Sequence, residues 1–414
     1  MVSNEAQHNQ RAEALIKFLV LFGLVLFSLS LVMLRSLYSR NAVQWLPGYI
    51  ESRRAAEMPA SAPIHVMFCF VDHFEPQWKS NDPSTEAARV DRWCREYPQL
   101  ASRFCDTDGC FPKHTFFYPE EEYREQHLEK LVALCAAGFG EIEVHLHHDN
   151  DTSEGLRQKL QRFTRVLRER HGALSLDPMT ARPAWGFIHG NWSLDNSRAD
   201  GRWCGVNDEL RVLAECGCYA DFTLPSAPSE TQTSTVNSIY YAADDPVRPK
   251  SHDTGVPVRI AGSASGDLMI IQGILGFDWS SRKLGLIPRI ENSDIREARP
   301  PSPFRIDRWV RLAPIVKGRP EWKFIKIHTH GAQEANEEVL LGESAARMYQ
   351  YLEARYNDGR KFVLHYVSAR EMFNIIKAAE AGQAGNPGDY RDYLLPPPAF
   401  AGQSRWSGRS SRSG

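Results

Sequence analysis

The sequence predicts an α/β protein, a (β/α) barrel of about seven or eight units, closed or partly open, behind one N-terminal transmembrane helix. Three observations predict it. Strand-like apolar runs alternate with helical patterns from Ile64 to Ala379. Polar clusters rich in His and Asp recur where those runs end. Residues 18–34 are apolar apart from two serines and one glycine.

The apolar segment comes first in the chain. With Leu15 and Ile16 it approaches the ~20 residues that a membrane helix needs. A cleaved signal peptide has a shorter apolar region of ~7–15 residues and a small-x-small site after it. Here Arg35 follows directly, and Ser36 to Arg40 make a poor site, so an uncleaved anchor is expected. Arg35, Arg40, Arg53 and Arg54 follow the span, against Arg11 and Lys17 before it. That bias would keep the large domain cytoplasmic. The expected organisation is a tail over 1–14, a transmembrane helix over 15–35, a linker over 36–61 containing Pro47 and Pro59, a barrel over 62–398 and a disordered Gly/Ser/Arg tail over 399–414.

Within the barrel, Ile64–Val71 reads as a buried strand and Glu86–Phe104 as a helix. His114–Phe117 is a short strand. A helix over Glu120–Ala137 opens with Pro119 and three glutamates and stops at Gly138. Glu141–His145 is a strand, Thr152–His171 a basic amphipathic helix, Trp185–His189 a strand and Asn207–Cys216 a helix. Ala220–Thr223, Leu268–Gln272, Phe324–Ile327 and Lys361–Tyr366 read as strands, and Glu337–Tyr356 and Ala369–Ala379 as helices. Residues 225–320, rich in Pro, Ser and Asn, read as an insertion. Parallel strands joined by right-handed crossovers bring their C-terminal ends to one face, where the polar clusters would meet.

Composition narrows the function classes. A chain of 414 residues that is 42% hydrophobic buries a sizeable core. A formal net charge of -2 offers no basic field, so no nucleic-acid partner is expected. The eight cysteines include no CxxC pair.

The densest cluster is His145-Leu-His147-His148-Asp149-Asn-Asp151, three imidazoles and two carboxylates in seven residues. Such residues are rarely buried unless paired or bound to something. His145 and His147 share a face if the strand continues, whereas His145 and Asp149 meet if a helical turn begins. Asp72-His73-Phe-Glu75, His189-Gly-Asn191-Trp192 and His328-Thr-His330 end other strands. Together they offer what metal-assisted hydrolysis needs: three protein ligands, an open position for water and a proton-handling group beside it.

In order and spacing these motifs resemble the NodB-homology polysaccharide deacetylase superfamily, closest to its WalW-like members in surface-polysaccharide biosynthesis. The resemblance covers roughly Ile64 to Ala379. In that superfamily the first motif reads Thr-Phe-Asp-Asp and the second His-Ser/Thr-x-x-His. The resemblance implies Asp72 as catalytic base, His73, His145 and Asp149 as metal ligands, and His328 as acid. Two ligand types are thereby exchanged, yet two imidazoles and a carboxylate remain, a set that suits Zn²⁺ and also Co, Ni or Fe. His147, His148, His189 and His330 are the alternates. Asn191, Trp192, Asp278 and Trp279 are the implied substrate contacts. The implied activity is removal of N- or O-acetyl groups from a polysaccharide by a single-pass protein of the bacterial inner membrane; that role fits the side opposite to the one the charge bias favours, so the side of the catalytic domain is left open, as are its protein partners. One rival is a glycoside hydrolase using two of Glu75, Glu143 and Asp278. The other is a degenerate barrel that binds glycan without chemistry.

Overall fold

The computed structural model describes residues 2–55, 63–283 and 285–401. Helix α1 (Val2–Tyr38) is longer than expected at both ends. Its segment Glu13–Tyr38, 26 residues of mean hydropathy 2.6, is long and apolar enough to cross a membrane, a property signal sequences share.

The expected linker is largely a second helix, α2 (Ala42–Ala55); its residues 56–61 lie outside the described part. Asn41 turns the chain in the left-handed region (φ 51) and its amide donates to Pro228 O at 2.9 Å. Trp45 is fully buried and stacks on Phe277 at 5.0 Å between ring centroids. At Gly48 a Cβ would sit 2.1 Å from Ser234 O, so only glycine admits this approach. Docking against the folded body, rather than propensity, therefore makes α2 a helix despite Pro47.

Eleven strands form one mostly parallel sheet. Along the chain come β1 (Ile64–His73), α3 (Pro83–Ala101), β2 (His114–Pro119), α4 (Glu125–Leu134), β3 (Gly140–Leu146), α5 (Ser153–Glu169), β4 (Ser175–Leu176), β5 (Pro183–His189), α6 (Glu209–Glu215) and β6 (Cys218–Asp221). Then follow β7 (Ile239–Ala242), β8 (Val256–Pro257), β9 (Leu268–Ile271), the hairpin β10–β11 (Gly276–Lys283, Ile287–Glu291), α7 (Pro303–Leu312), β12 (Trp322–Thr329), α8 (Glu334–Leu341), α9 (Glu343–Tyr356), β13 (Phe362–Val367) and α10 (Ala369–Glu380). The sheet order is β12-β1-β2-β3-β5-β6-β9-β7-β8, with β13 also on β1 and β4 on β5. The ladder does not close on itself. Its two ends approach through an isolated bridge, Arg259 to Lys317, and Lys326 Nζ of β12 reaches across to Phe222 O and Leu224 O just after β6.

Strand β1 is buried along its whole length, as a parallel strand covered on both faces should be. Its alternate residues divide two cores. Met67, Cys69 and Val71 face one way with Phe117, Ile188, Phe324 and the apolar side of α10. Phe68 and Phe70 face the other way with Trp93 of α3 and Leu128 of α4. The expected insertion supplies β7, β8 and β9 to the sheet, and the hairpin on which α2 rests. At the other terminus, Ala401 N donates to His171 O at 2.9 Å, so the start of the expected tail is docked; residues 402–414 lie outside the described part.

Candidate metal centre

At the C-terminal edge of the parallel strands, β1 ends in two residues that point apart. Asp72 faces the helical layer. It accepts from His114 Nε2 at 2.8 Å and from Gly331 N at 2.6 Å, and a Cβ on Gly331 would lie 2.0 Å from its Oδ2. Enclosed on that side, it stands apart from the residues that gather around His73. His73 faces inward, its ring stacked on His330 at 4.6 Å and 17°.

Glu75 is the meeting point of the inward cluster. His145 is fully buried on β3 opposite Ile188. Its Nδ1 lies 2.8 Å from Ile188 O, so that nitrogen carries the proton and Nε2 offers its lone pair. Nε2 lies 3.3 Å from Glu75 Oε1. His147 repeats the pattern: its Nδ1 donates to Glu121 Oε1, and its Nε2 lies 3.5 Å from the same Glu75 oxygen. Glu75, His145 and His147 thus converge, as do Glu75, His73 and His330, with donor atoms within 4.8 Å of one another in each set. Trp192 closes one side, 5.7 Å from His73 and 5.6 Å from His330 between ring centroids.

Burial sets the charges. It holds His145 down at about 3 and His73 well below its ordinary value, so both rings are neutral acceptors at neutral pH. It raises Glu75. In His147 burial acts downward, but the hydrogen bond and charge of Glu121 outweigh it and lift the imidazole. Two lone pairs and a carboxylate oxygen that meet in a largely buried site call for a cation or a proton between them. Bonds of about 2.0–2.1 Å to a tetrahedral ion separate its ligand atoms by about 3.3–3.5 Å. The observed separations of 3.3 and 3.5 Å fit that spacing. Each ring is oriented by an acceptor on its far nitrogen, the outer support that metal-binding histidines have.

The other expected site residues lie elsewhere. Asp149 is outside the cluster, its Oδ1 accepting from Trp203 N at 2.5 Å. His148 leaves the strand on the opposite side from His147 and meets His189, ring centroids 4.7 Å apart. His328 lies deeper on β12, 6.4 Å from His73 between ring centroids, and burial drives it well below its ordinary pKa. Asn191 is a left-handed turn residue (φ 55) beside Trp192. Asp278 accepts from Ser280 and Ser281 on the hairpin, and Trp279 is exposed next to it; neither belongs to the histidine cluster. Glu143, offered for a glycosidase pair, accepts from Tyr219 OH at 2.5 Å and Gly186 N at 2.6 Å inside the core. Asp106, Asp108 and His365 also group together, but Arg391 already neutralises them at 2.8 and 2.9 Å.

Two contributors were not read from sequence as ligand or support. The i, i+2 spacing of His73 and Glu75 on an extended segment signals Glu75. Glu121 reaches His147 only through the β2–β3 pairing that sets Pro119 beside His145, and a single chain gives no hint of it. No family model matches this chain, and no curated protein matches its sequence.

Proposed function

We propose that the chain is a membrane-anchored, divalent-metal-dependent hydrolase that removes acetyl groups from a polysaccharide. The observation that carries this reading is the convergence of His145 Nε2 and His147 Nε2 on one oxygen of Glu75, with both Nδ1 protons engaged elsewhere. Glu75, His145 and His147 would hold the ion, most readily Zn²⁺, with Co, Ni or Fe as alternatives. An ion so held polarises an acyl carbonyl and acidifies water. Three protein donors leave a position for that chemistry.

The remaining roles follow from placement. His330 is half-buried at the mouth, stacked on His73, and is better placed than the deeper His328 to pass a proton to a departing amine or alkoxide. Asp72, committed to His114 and Gly331, braces the strand end from behind. Trp192 offers an aromatic wall against which a sugar ring can stack. The carbohydrate class rests on the motif order and on this tryptophan.

The test is acetate release by the full-length protein in detergent from a panel of N- and O-acetylated oligosaccharides. Activity that a chelator abolishes and Zn²⁺ or Co²⁺ restores supports the reading. A metal-loaded protein that binds the oligosaccharides and releases no acetate from any of them contradicts it in favour of a glycan-binding barrel.

A further inference from the structure

We propose that His148, His189, Cys204 and Glu209 form a second metal site, a closed Zn²⁺ centre that fastens the loop carrying Trp192 to the ends of β3 and β5. The four side chains come from the segment just after β3, the end of β5, the loop between β5 and α6, and the first turn of α6. All are buried, and their donor atoms lie within 4.8 Å of one another.

The geometry is that of a ligand set. Glu209 Oε1 lies 3.1 Å from His148 Nε2 and 3.5 Å from His189 Nε2, and Glu209 Oε2 lies 3.3 Å from Cys204 Sγ. These are spacings that oxygen, nitrogen and sulfur take around one tetrahedral ion with bonds of about 2.0–2.3 Å. His189 Nδ1 donates to Gly190 O at 2.5 Å, which leaves its Nε2 lone pair aimed inward; that fully buried atom has no hydrogen-bond partner. Cys204 Sγ accepts backbone N–H groups from Asn196 at 3.3 Å and Val206 at 3.4 Å. Among the described residues no Lys or Arg side chain pairs with any of the four, and a carboxylate, a sulfur and two imidazoles converging in one buried space are a donor set that selects zinc.

The backbone agrees. Asn191, Trp192, Asp195, Asn196, Trp203 and Gly205 all have positive φ in the short stretch between His189 and Glu209. Such strain persists where the surroundings over-determine it. Four protein donors leave no open position, so the centre is structural. It would hold Trp192 against His73 without entering the chemistry there.

Cobalt substitution of the full-length protein in detergent tests this, because the Glu75 cluster contains no cysteine and cannot give a thiolate-to-cobalt charge-transfer band. The proposal expects that near-ultraviolet band at one equivalent, its loss in Cys204→Ser and in His189→Gln, and its retention in His145→Ala. Zinc-edge X-ray absorption of the wild-type protein should show a sulfur shell at about 2.3 Å, a readout that needs no variant. Cobalt bound without the band, a band that survives Cys204→Ser, or a zinc shell of nitrogen and oxygen alone overturns it. In that case the four residues are a protonated His148 clamped by Glu209 and Asp151, with Cys204 donating to Glu209.

Discussion

Glu75 Oε1 faces His145 Nε2 across 3.3 Å, and the proton of that imidazole is on the far side, on Nδ1, donated to Ile188 O. Neither atom has a hydrogen to give the other while Glu75 is ionised. The pair is therefore built for something placed between its members, and the consequences can be measured.

Glu121 touches no ion in this account; it fixes the tautomer and plane of His147. Glu121→Ala should weaken metal binding at the Glu75 cluster by about 10–100-fold, the usual cost of losing such support. Competition with a fluorescent chelator measures it. An affinity equal to wild type would mean that His147 is not a ligand.

Asp72 offers a sharper contrast with its expected role as base. Its carboxylate is fully buried on the helical side with His114 and Gly331. Asp72→Asn should cost about 3–5 kcal/mol in urea unfolding, the range for breaking a buried pair. The folded variant should retain its metal. Full stability with abolished turnover would restore Asp72 as the base.

Helix α2 is fastened by two aromatic side chains, Trp45 and Tyr49, that both pack on Phe277. Trp45→Ala should raise hydrogen exchange of amides 42–55 while those of β1 stay protected, because the fully buried indole packs on Phe277. Unchanged exchange in α2 would show that its other contacts suffice.

At the opposite end of β1, His65 Nδ1 lies 2.9 Å from His365 Nε2, and His365 Nδ1 lies 2.8 Å from Asp108. Burial, aided by the charge of His365, lowers His65 from 6.5 to about 4. The folded state thus binds fewer protons than the unfolded chain between those values. Stability from a neutral His65 is full above pH 6.5 and is lost as pH falls from there through about 4. His65→Gln should flatten the melting-temperature profile across that window; parallel profiles would rule the linkage out.

Most of the scaffold was legible because its signals are local. Gly138 stops the helix before β3 at φ 93, and Thr152 caps α5 through Gly155 N, as their positions in the sequence suggest. The run predicted over Glu337–Tyr356 is two helices divided at Gly342. Helix α2 and the hairpin were not legible, since each is held by the other rather than by its own pattern. Whether the ladder closes depends on long-range pairing that no periodicity records.

The site was half legible for the same reason. Strand alternation separates Asp72 from His73 and His147 from His148, and it decides which residues meet. The resemblance implied Asp149 beside His145, but the strand runs on to Leu146, and Asp149 turns to Trp203 instead. The carboxylate came from Glu75, two residues beyond His73. Cys204 and Glu209 carry no spacing signal, because they join His148 and His189 only after the loop from β5 folds back.

The most direct measurement is the metal content of the full-length wild-type protein beside a folded Glu75→Ala/His145→Ala variant, with the cobalt–thiolate band recorded on both. Loss of one equivalent of metal in the variant, with the band unchanged, is the predicted result. Equal metal in both proteins would show that no ion sits at Glu75 and would contradict the hydrolase account.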